Sequence, residues 1–331
     1  MNILVAMPSG DVRDSFIPSD VRAQLEALGT VYWNEDGRNW TEDEMAEHMK
    51  GIDVCVLGWG CPQIGEKVLE KADALKAVLH TGGSVAGYAS EAVYDRNIPV
   101  LSGNELYARS VAESVVAYAL YLLRDIGRYN GELLKDGWVQ SGWANEGLLD
   151  QTVGLIGFGA VARWTARLLR EFGAKIYINA DHVTPEEAAS YGARKATIDE
   201  IMSGCKIVSV HLARTPETYH IIDEQRIKLL SEGAVFINTA RGSIVDEAAL
   251  VRELATGRFK AALDVYEVEP LPMDSPLRIL HNVLLMPHMG GPTMDRRPFV
   301  TRSLIEELPR VLAGETSYLT VTRDMMRRMT R

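Results

Sequence analysis

A chain of 331 residues exceeds the roughly 100 to 200 of a single domain, so two domains are expected. With 45 Asp and Glu against 35 Lys and Arg, the net charge is −10, which argues against a protein built to grip a phosphate backbone, and so against a nucleic-acid partner. A hydrophobic content of 47% with 24% charged residues excludes a disordered or fibrous chain.

The opening MNILVAMPSGD has no basic stretch before its short apolar run, and no apolar run approaches the ~20 residues of a membrane span, so neither a signal peptide nor a span is expected. NILVAM, TVYWNE, DVCVLGW and KAVLHT predict strands. The helices predicted between them are SDVRAQLEALG, ending on Gly29 as its C′ residue; TEDEMAEHMKG, opening on a Thr41/Glu44 capping box; and EKVLEKADALK. After IPVLSG comes VAESVVAYALYLLRDIGRY, a helical run apolar on more than one face and therefore buried between layers; the domain crossing is placed there. Cys55, Cys61 and Cys205 form no CxxC pair and have no His at ligand spacing, so no disulfide framework and no metal site is expected, and a reducing cytoplasm fits.

A second series follows, with strands predicted for TVGLIGFG, AKIYIN, CKIVSVHL, AVFINTA, FKAALDVY and NVLLMPH, near-continuous apolar runs suited to parallel strands covered on both faces. AVARWTARLLREFG, DEQRIKLLSEG and VDEAALVRELATG predict helices, the last two closed by Gly233 and Gly257. A long helical pattern over residues 294 to 312 then runs on with no strand after it, and such a helix packs back on the first domain. The fold class expected is α/β with two doubly wound parallel-sheet domains. A Rossmann nucleotide-binding domain, residues 104–291, is inserted in a flavodoxin-like substrate domain made of residues 1–103 and 292–331.

After the strand TVGLI, Gly157, Gly159 and Ala162 complete G-x-G-x-x-A just before a helix. Gly157 permits the tight turn, Gly159 lets backbone approach a pyrophosphate, and Ala160 and Val161 open a helix whose free N–H groups favour phosphate, where Arg163 could add a charge. The acid for the ribose is less well placed: Asp181 lies beyond the ~20-residue spacing from the first glycine. No Arg follows it to hold a 2′-phosphate, so NAD is favoured over NADP.

Polar residues gather after the later strands: Thr239 and Arg241 after AVFIN, Asp264 and Glu269 in LDVYEVEP, and His288 after LLMP. Ligands of open α/β sheets bind outside the carboxyl ends of strands, so these groups could converge on one end of the cofactor. An α-keto acid needs its carboxylate held and a proton delivered to its carbonyl oxygen as hydride reaches carbon. Arg241 offers a planar fork, His288 an acid that titrates near neutrality, and Glu269 a carboxylate to orient the imidazole.

VAESVVAYALYLLR, TVGLIGFGAVAR, VSVHLARTPET, AVFINTARGSIVDEAALVREL, AALDVYEVEPLP and NVLLMPHMGGPT stand in the order and spacing of the D-isomer-specific 2-hydroxyacid dehydrogenase family, which this chain resembles over about residues 111–293. That family includes phosphoglycerate dehydrogenase and glyoxylate/hydroxypyruvate reductase. The resemblance implies an NAD(P)-dependent dehydrogenase of a small 2-hydroxy acid. It makes Arg241 the substrate arginine, Glu269 the carboxylate partner, His288 the acid/base and Asp264 the acid for the nicotinamide carboxamide. It also implies that HTGGSV, with Gly82, Gly83, Ser84 and Val85, offers backbone N–H groups to the substrate carboxylate, and that the protein is a homodimer in which the segment 138–143 reaches its partner.

The chain departs from the family at three places. The loop reads Ser84-Val85-Ala86-Gly87-Tyr88 in place of the usual acidic motif; Ala180 stands where the ribose-binding Asp is common; and Ala213 and Arg214 replace a proline and an apolar residue, a cation that could admit NADP. Arg296 and Arg297, soon after the histidine loop, could meet a second anionic group on the substrate, but are read first as the solvated face of the last helix. Two other functions fit the same fold: a dinucleotide-sensing co-repressor, and a dehydrogenase of formate or phosphite.

Overall fold

The computed structural model describes residues 1–138 and 141–330, and its contacts divide the chain into two units, Met1–Tyr107 with Pro292–Arg331, and Ala108–Gly291. Val139, Gln140 and Arg331 lie outside the described residues, so the segment 138–143 is seen only in part. The division falls in the first turn of the helix Asn104–Leu123, slightly after the expected boundary at 103/104.

Among the described residues the first unit holds a five-stranded parallel sheet, β1 (Asn2–Pro8), β2 (Thr30–Asn34), β3 (Val54–Leu57), β4 (Ala77–His80) and β5 (Val100–Ser102), in the order β2-β1-β3-β4-β5. β3, β4 and β5 are buried along their whole length, whereas edge strand β2 alternates. The capping box forms, with Thr41 N–H donating to Glu44 Oε2 at 2.8 Å and Glu44 N–H to the Thr41 hydroxyl at 3.3 Å. The helix Arg297–Leu312 lays Val300, Leu304 and Leu308, one face at helical spacing, into the core of this unit. Beyond it, Thr320 makes an isolated antiparallel bridge with Leu101.

Several local expectations are corrected. The first predicted helix ends on Gly29 as expected, but Gly29 is its C-cap and not its C′ residue: its N–H donates to the Glu26 carbonyl at 3.3 Å, its φ is 159°, and a Cβ would lie 2.0 Å from the Met1 carbonyl oxygen. The helix expected to reach Lys76 stops at Lys71; Asp73 instead accepts the Gly51 N–H at 2.7 Å. Gly233 and Gly257 lie in turns beyond helices that end at Leu229 and Leu254. The run after IPVLSG starts earlier, at Asn104, and is two helices, Asn104–Leu123 and Ile126–Asp136. They are broken at Asp125, whose φ is 54° and whose carboxylate takes Lys260 and Arg128 at 2.7 and 2.6 Å.

In the second unit β6 (Thr152–Ile156), β7 (Lys175–Asn179), β8 (Ala193–Lys195), β9 (Ile207–Val210), β10 (Val235–Asn238), β11 (Lys260–Leu263) and β12 (Val283–Leu285) pair in the order β12-β11-β10-β9-β6-β7-β8, all parallel. This is the doubly wound order of a Rossmann sheet with one added edge strand, and its switch point lies between β6 and β9. β8 and the flanking helices Pro185–Ser190 and Ile198–Gly204 have no counterpart in the sequence reading.

His80, at the end of β4, is 1% exposed, stacks on Tyr88 with ring centroids 4.1 Å apart, and has no partner for Nδ1. Burial lowers its pKa from 6.5 to about 3. The unfolded chain therefore takes up a proton between those values that the folded chain refuses. The stabilising effect is complete above pH 6.5 and is lost as pH falls toward 3, and by about pH 5 the loss is about 2 kcal/mol. In urea titrations, the drop in unfolding free energy from about pH 8 to about pH 5 is expected to shrink by ~2 kcal/mol in His80→Phe. An unchanged drop would mean that another group carries the acid sensitivity.

Candidate active site

The turn after β6 is built on two glycines of opposite character. Gly157 has φ 94°, and a Cβ there would lie 2.7 to 2.9 Å from the backbone of His211 and Leu212 at the end of β9, across the switch point. Gly159 would meet nothing within 4 Å. It is the N-cap of the helix Ala160–Glu171 and supplies no side-chain cap, so the first-turn N–H groups, including those of Ala160 and Val161, border open space. Ala162, fully buried, lets this helix sit close on the sheet. Arg163 does not extend toward that space: its guanidinium pairs with Glu187 at 2.9 Å. Asp181, after β7, is exposed, while neighbouring Ala180 is buried.

After β10, Asn238 shapes the chain that carries Thr239 and Arg241. Its Oδ1 accepts the Ala240 N–H and its Nδ2 donates to the Arg241 carbonyl, both at 3.0 Å. Among the described residues the buried Thr239 hydroxyl has no hydrogen-bond partner. Arg241 Nη1 donates to the Ala240 carbonyl at 2.6 Å. Gly242 packs so closely on Tyr266 and Glu267 that a Cβ would lie 1.9 to 2.3 Å from their backbone.

That contact ties the arginine turn to the segment after β11. Tyr266 hydrogen-bonds through its hydroxyl to the Leu263 and Met286 carbonyls at 3.0 and 2.9 Å, and burial pushes its pKa up to about 12, so it remains a donor. Its N–H donates to Glu269 Oε1 at 3.0 Å, and Glu269 Oε2 meets His288 Nδ1 at 2.7 Å. Both carboxylate oxygens are thus committed. A carboxylate only accepts, so Nδ1 carries the proton of that bond and Nε2 is left as the working nitrogen. The pair forms one wall of a cavity of about 560 Å³ also lined by Leu271, Leu285 and Met286.

His288 has φ 51°, a left-handed conformation unusual for a residue with a side chain. Asp264 holds it there. The Asp264 carboxylate, 2% exposed, accepts the N–H groups of Met289 and Gly290, both at 2.8 Å, and burial raises its pKa. Gly290 is small enough for this approach, since a Cβ would lie 2.7 Å from Asp264 Oδ2. On the other side, Ser114 Oγ donates to the Gly290 carbonyl at 2.9 Å. The structure therefore brings Arg241, Asp264, Glu269 and His288 into one connected network. Asn238, Tyr266 and Ser114 are supports that the motifs did not mark.

In the first unit, the loop after β4 holds residues 82 to 85. A Cβ on Gly82 would strike His80 Nε2 at 2.4 Å, while Gly83 has only Asn104 Oδ1 at 3.9 Å. Ser84 Oγ donates to the Thr330 carbonyl at 2.5 Å, and the Val85 side chain is fully buried, so only backbone at that position can meet a ligand. Among the described residues, none of the N–H groups of residues 82 to 85 donates to a protein acceptor. Unpaired N–H groups in a turn favour an anion. Arg297 is not a solvated surface residue: its guanidinium lies over Phe16 and Trp59, 5.4 and 5.3 Å from the ring centroids.

The family model of the D-isomer specific 2-hydroxyacid dehydrogenase NAD binding domain matches residues 116–290. The chain is 32% identical over 295 residues to D-3-phosphoglycerate dehydrogenase of Methanocaldococcus jannaschii, covering 88% of this chain and 55% of that protein. YoaD of Bacillus subtilis, named as a 2-hydroxyacid dehydrogenase, is 34% identical, covering 89% of this chain and 86% of its own. The crystal structure of the PH0520 protein from Pyrococcus horikoshii superimposes with a TM-score of 0.80 at 26% identity, over 98% of this chain and 96% of that one. The chain spans 48% to 58% of the length of the phosphoglycerate dehydrogenases it matches. Among the described residues no helix is long and apolar enough to cross a membrane.

Proposed function

Because the chain belongs to the D-isomer specific 2-hydroxyacid dehydrogenase family, we propose that it interconverts a small 2-keto acid and the matching D-2-hydroxy acid, with NAD as cofactor. NADP is admitted by Ala180 at the usual position of the ribose acid. The observation that carries the reading is the 2.7 Å bond from His288 Nδ1 to a Glu269 whose second oxygen is itself held by a backbone N–H.

The open space at Gly159 and the uncapped turn behind it suit the cofactor's phosphates, Asp181 after β7 is assigned to the ribose, and Thr239 and Asp264 are assigned to its nicotinamide side. When bound, the nicotinamide supplies or accepts a hydride at the carbonyl carbon. Glu269 fixes the imidazole so that protonated Nε2 of His288 donates to the carbonyl oxygen in reduction, and neutral Nε2 accepts from the hydroxyl in oxidation. Arg241 presents its fork to the carboxylate and carbonyl oxygens, and the N–H groups of residues 82 to 85 receive the carboxylate. On this reading the first unit is the substrate domain and the second the NAD-binding domain.

A homodimer is supported by Ile126, Leu133 and Leu134, exposed at helical spacing on the helix Ile126–Asp136, and by Trp138 and Trp143, which are 77% and 65% exposed. Three buried free thiols fit a cytoplasmic protein.

Steady-state assays with a panel of 2-keto acids, run with NADH and with NADPH, and with formate and phosphite, run with NAD, test the reading. Turnover of at least one keto acid is expected. Tight dinucleotide binding with no turnover would replace it with the sensing function, and turnover confined to formate or phosphite would move the chemistry to those donors. Arg241→Lys is expected to lower kcat/KM about 30- to 100-fold with cofactor affinity unchanged, because an ammonium cannot reproduce two parallel charge-assisted hydrogen bonds. Equal kcat/KM would remove Arg241 from substrate binding.

A further inference from the structure

The sheet order β2-β1-β3-β4-β5 has its own switch point between β1 and β3, and ligands of such sheets lie in the crevice outside the carboxyl ends of those two strands. The chain after β1 brings Ser15 and Phe16 there, and the chain after β3 brings Trp59. Between them sits Arg297. Its Nη1 donates to Ser15 Oγ at 3.0 Å and its guanidinium lies over both aromatic rings. Trp59, edge-on to Phe16 with centroids 5.3 Å apart, is 40% exposed, so the arrangement opens outward.

This cation is held but not neutralised. Among the described residues no carboxylate lies within ion-pair distance of Arg297, in a chain with ten more acidic than basic side chains. Among the described residues Arg297 Nε is buried with no hydrogen-bond partner, and so is the hydroxyl of Tyr107, whose ring is edge-on to Trp59 with centroids 6.4 Å apart. A guanidinium with no carboxylate partner and an unused Nε–H, with the unused Tyr107 hydroxyl nearby, is costly unless a ligand meets it. Arg297 also stands in the first turn of a 16-residue helix that has no side-chain cap, where the helix dipole adds to the positive potential.

We propose that Arg297, seated on Phe16 and Trp59, is an anion subsite that selects 2-keto acids carrying a second anionic group, a carboxylate or a phosphate. The loop of residues 82 to 85 follows β4, the neighbour of β3, so the two anion sites are separated by one to two strand spacings of ~4.8 Å. That span fits a ligand with two or three carbons between its anionic groups. This inference rests on the dehydrogenase reading and names its substrate class.

The test compares kcat/KM for 2-ketobutyrate, oxaloacetate and a 3-phosphorylated 2-keto acid, with wild type, Arg297→Met and Arg297→Lys. Wild type is expected to prefer one of the dianions over 2-ketobutyrate by roughly 10- to 100-fold, the range of one charge-assisted hydrogen-bonded contact, and the favoured dianion tells carboxylate from phosphate. Arg297→Met should erase the preference while leaving 2-ketobutyrate within about threefold, and Arg297→Lys should keep part of it. No preference in wild type, or an equal loss for all three substrates in both variants, would overturn the proposal. If no keto acid is turned over, the dehydrogenase reading fails and calorimetry decides the subsite. Succinate or inorganic phosphate binding lost in Arg297→Met upholds it; absent or unchanged binding overturns it.

Discussion

Replacing His288 with asparagine is expected to lower turnover about a thousandfold, within the ~100- to 10,000-fold range of a positioned acid/base, while dinucleotide affinity stays within about threefold. Asparagine is the informative replacement for a reason that lies in the backbone. His288 sits at φ 51°, and asparagine is among the few side-chain residues that adopt this region readily, so the Asp264 bonds to Met289 and Gly290 N–H are kept. What is lost is the ring nitrogen Nε2 that handles the proton. Glu269→Gln should act through the same ring with a smaller loss, because its single amide oxygen still accepts from Nδ1 while its NH2 group, a donor, is left facing the Tyr266 N–H. Turnover of His288→Asn within threefold of wild type, measured with cofactor affinity from fluorescence titration, would remove His288 from the chemistry.

The second large effect separates the two glycines of the fingerprint. Gly159→Ala is expected to weaken dinucleotide binding about 100-fold with no change in thermal stability, since its methyl enters open space in the protein that a phosphate needs. Gly157→Ala should cost about 3 kcal/mol or more of stability before any ligand is considered. Its φ of 94° is strained for alanine, and its Cβ would overlap the backbone of His211 and Leu212, which belong to a central strand end and cannot yield. Calorimetric Kd values and unfolding curves for the two variants check this. A Gly159→Ala variant that binds as wild type would detach the turn from the cofactor.

The fingerprint shows both glycines in the sequence but hides this difference, which depends on where β9 ends. The same holds elsewhere. The strands of the second unit are legible because each is a continuous apolar run buried on both faces, whereas β8 reads Ala193-Arg194-Lys195 and buries one side chain, and the helix Pro185–Ser190 buries only Ala188. Neither carries a periodic signal long enough to detect. Glu269 and His288 can be paired from the family pattern, but the Tyr266 N–H that fixes the second carboxylate oxygen is a backbone group with no signature. Arg297 is the clearest case: a cation in a charged helix start reads first as solvated, with a second anionic group of the substrate only as the alternative, because its neighbours Ser15, Phe16 and Trp59 are more than two hundred positions upstream, joined to it only by the folded sheet.

In this mechanism hydride passes between the nicotinamide and the carbonyl carbon of a 2-keto acid while His288 handles the proton. It is tested most directly with cofactor deuterated at its transferable position and the best keto acid of the panel, followed by mass spectrometry and chiral analysis of the product. One deuterium on the carbinol carbon of a D-2-hydroxy acid is expected, and about a thousandfold less of the same labelled product when His288→Asn replaces the wild type under the same conditions. Cofactor oxidation that leaves the carbinol carbon without deuterium, or an L-hydroxy acid as product, would contradict it.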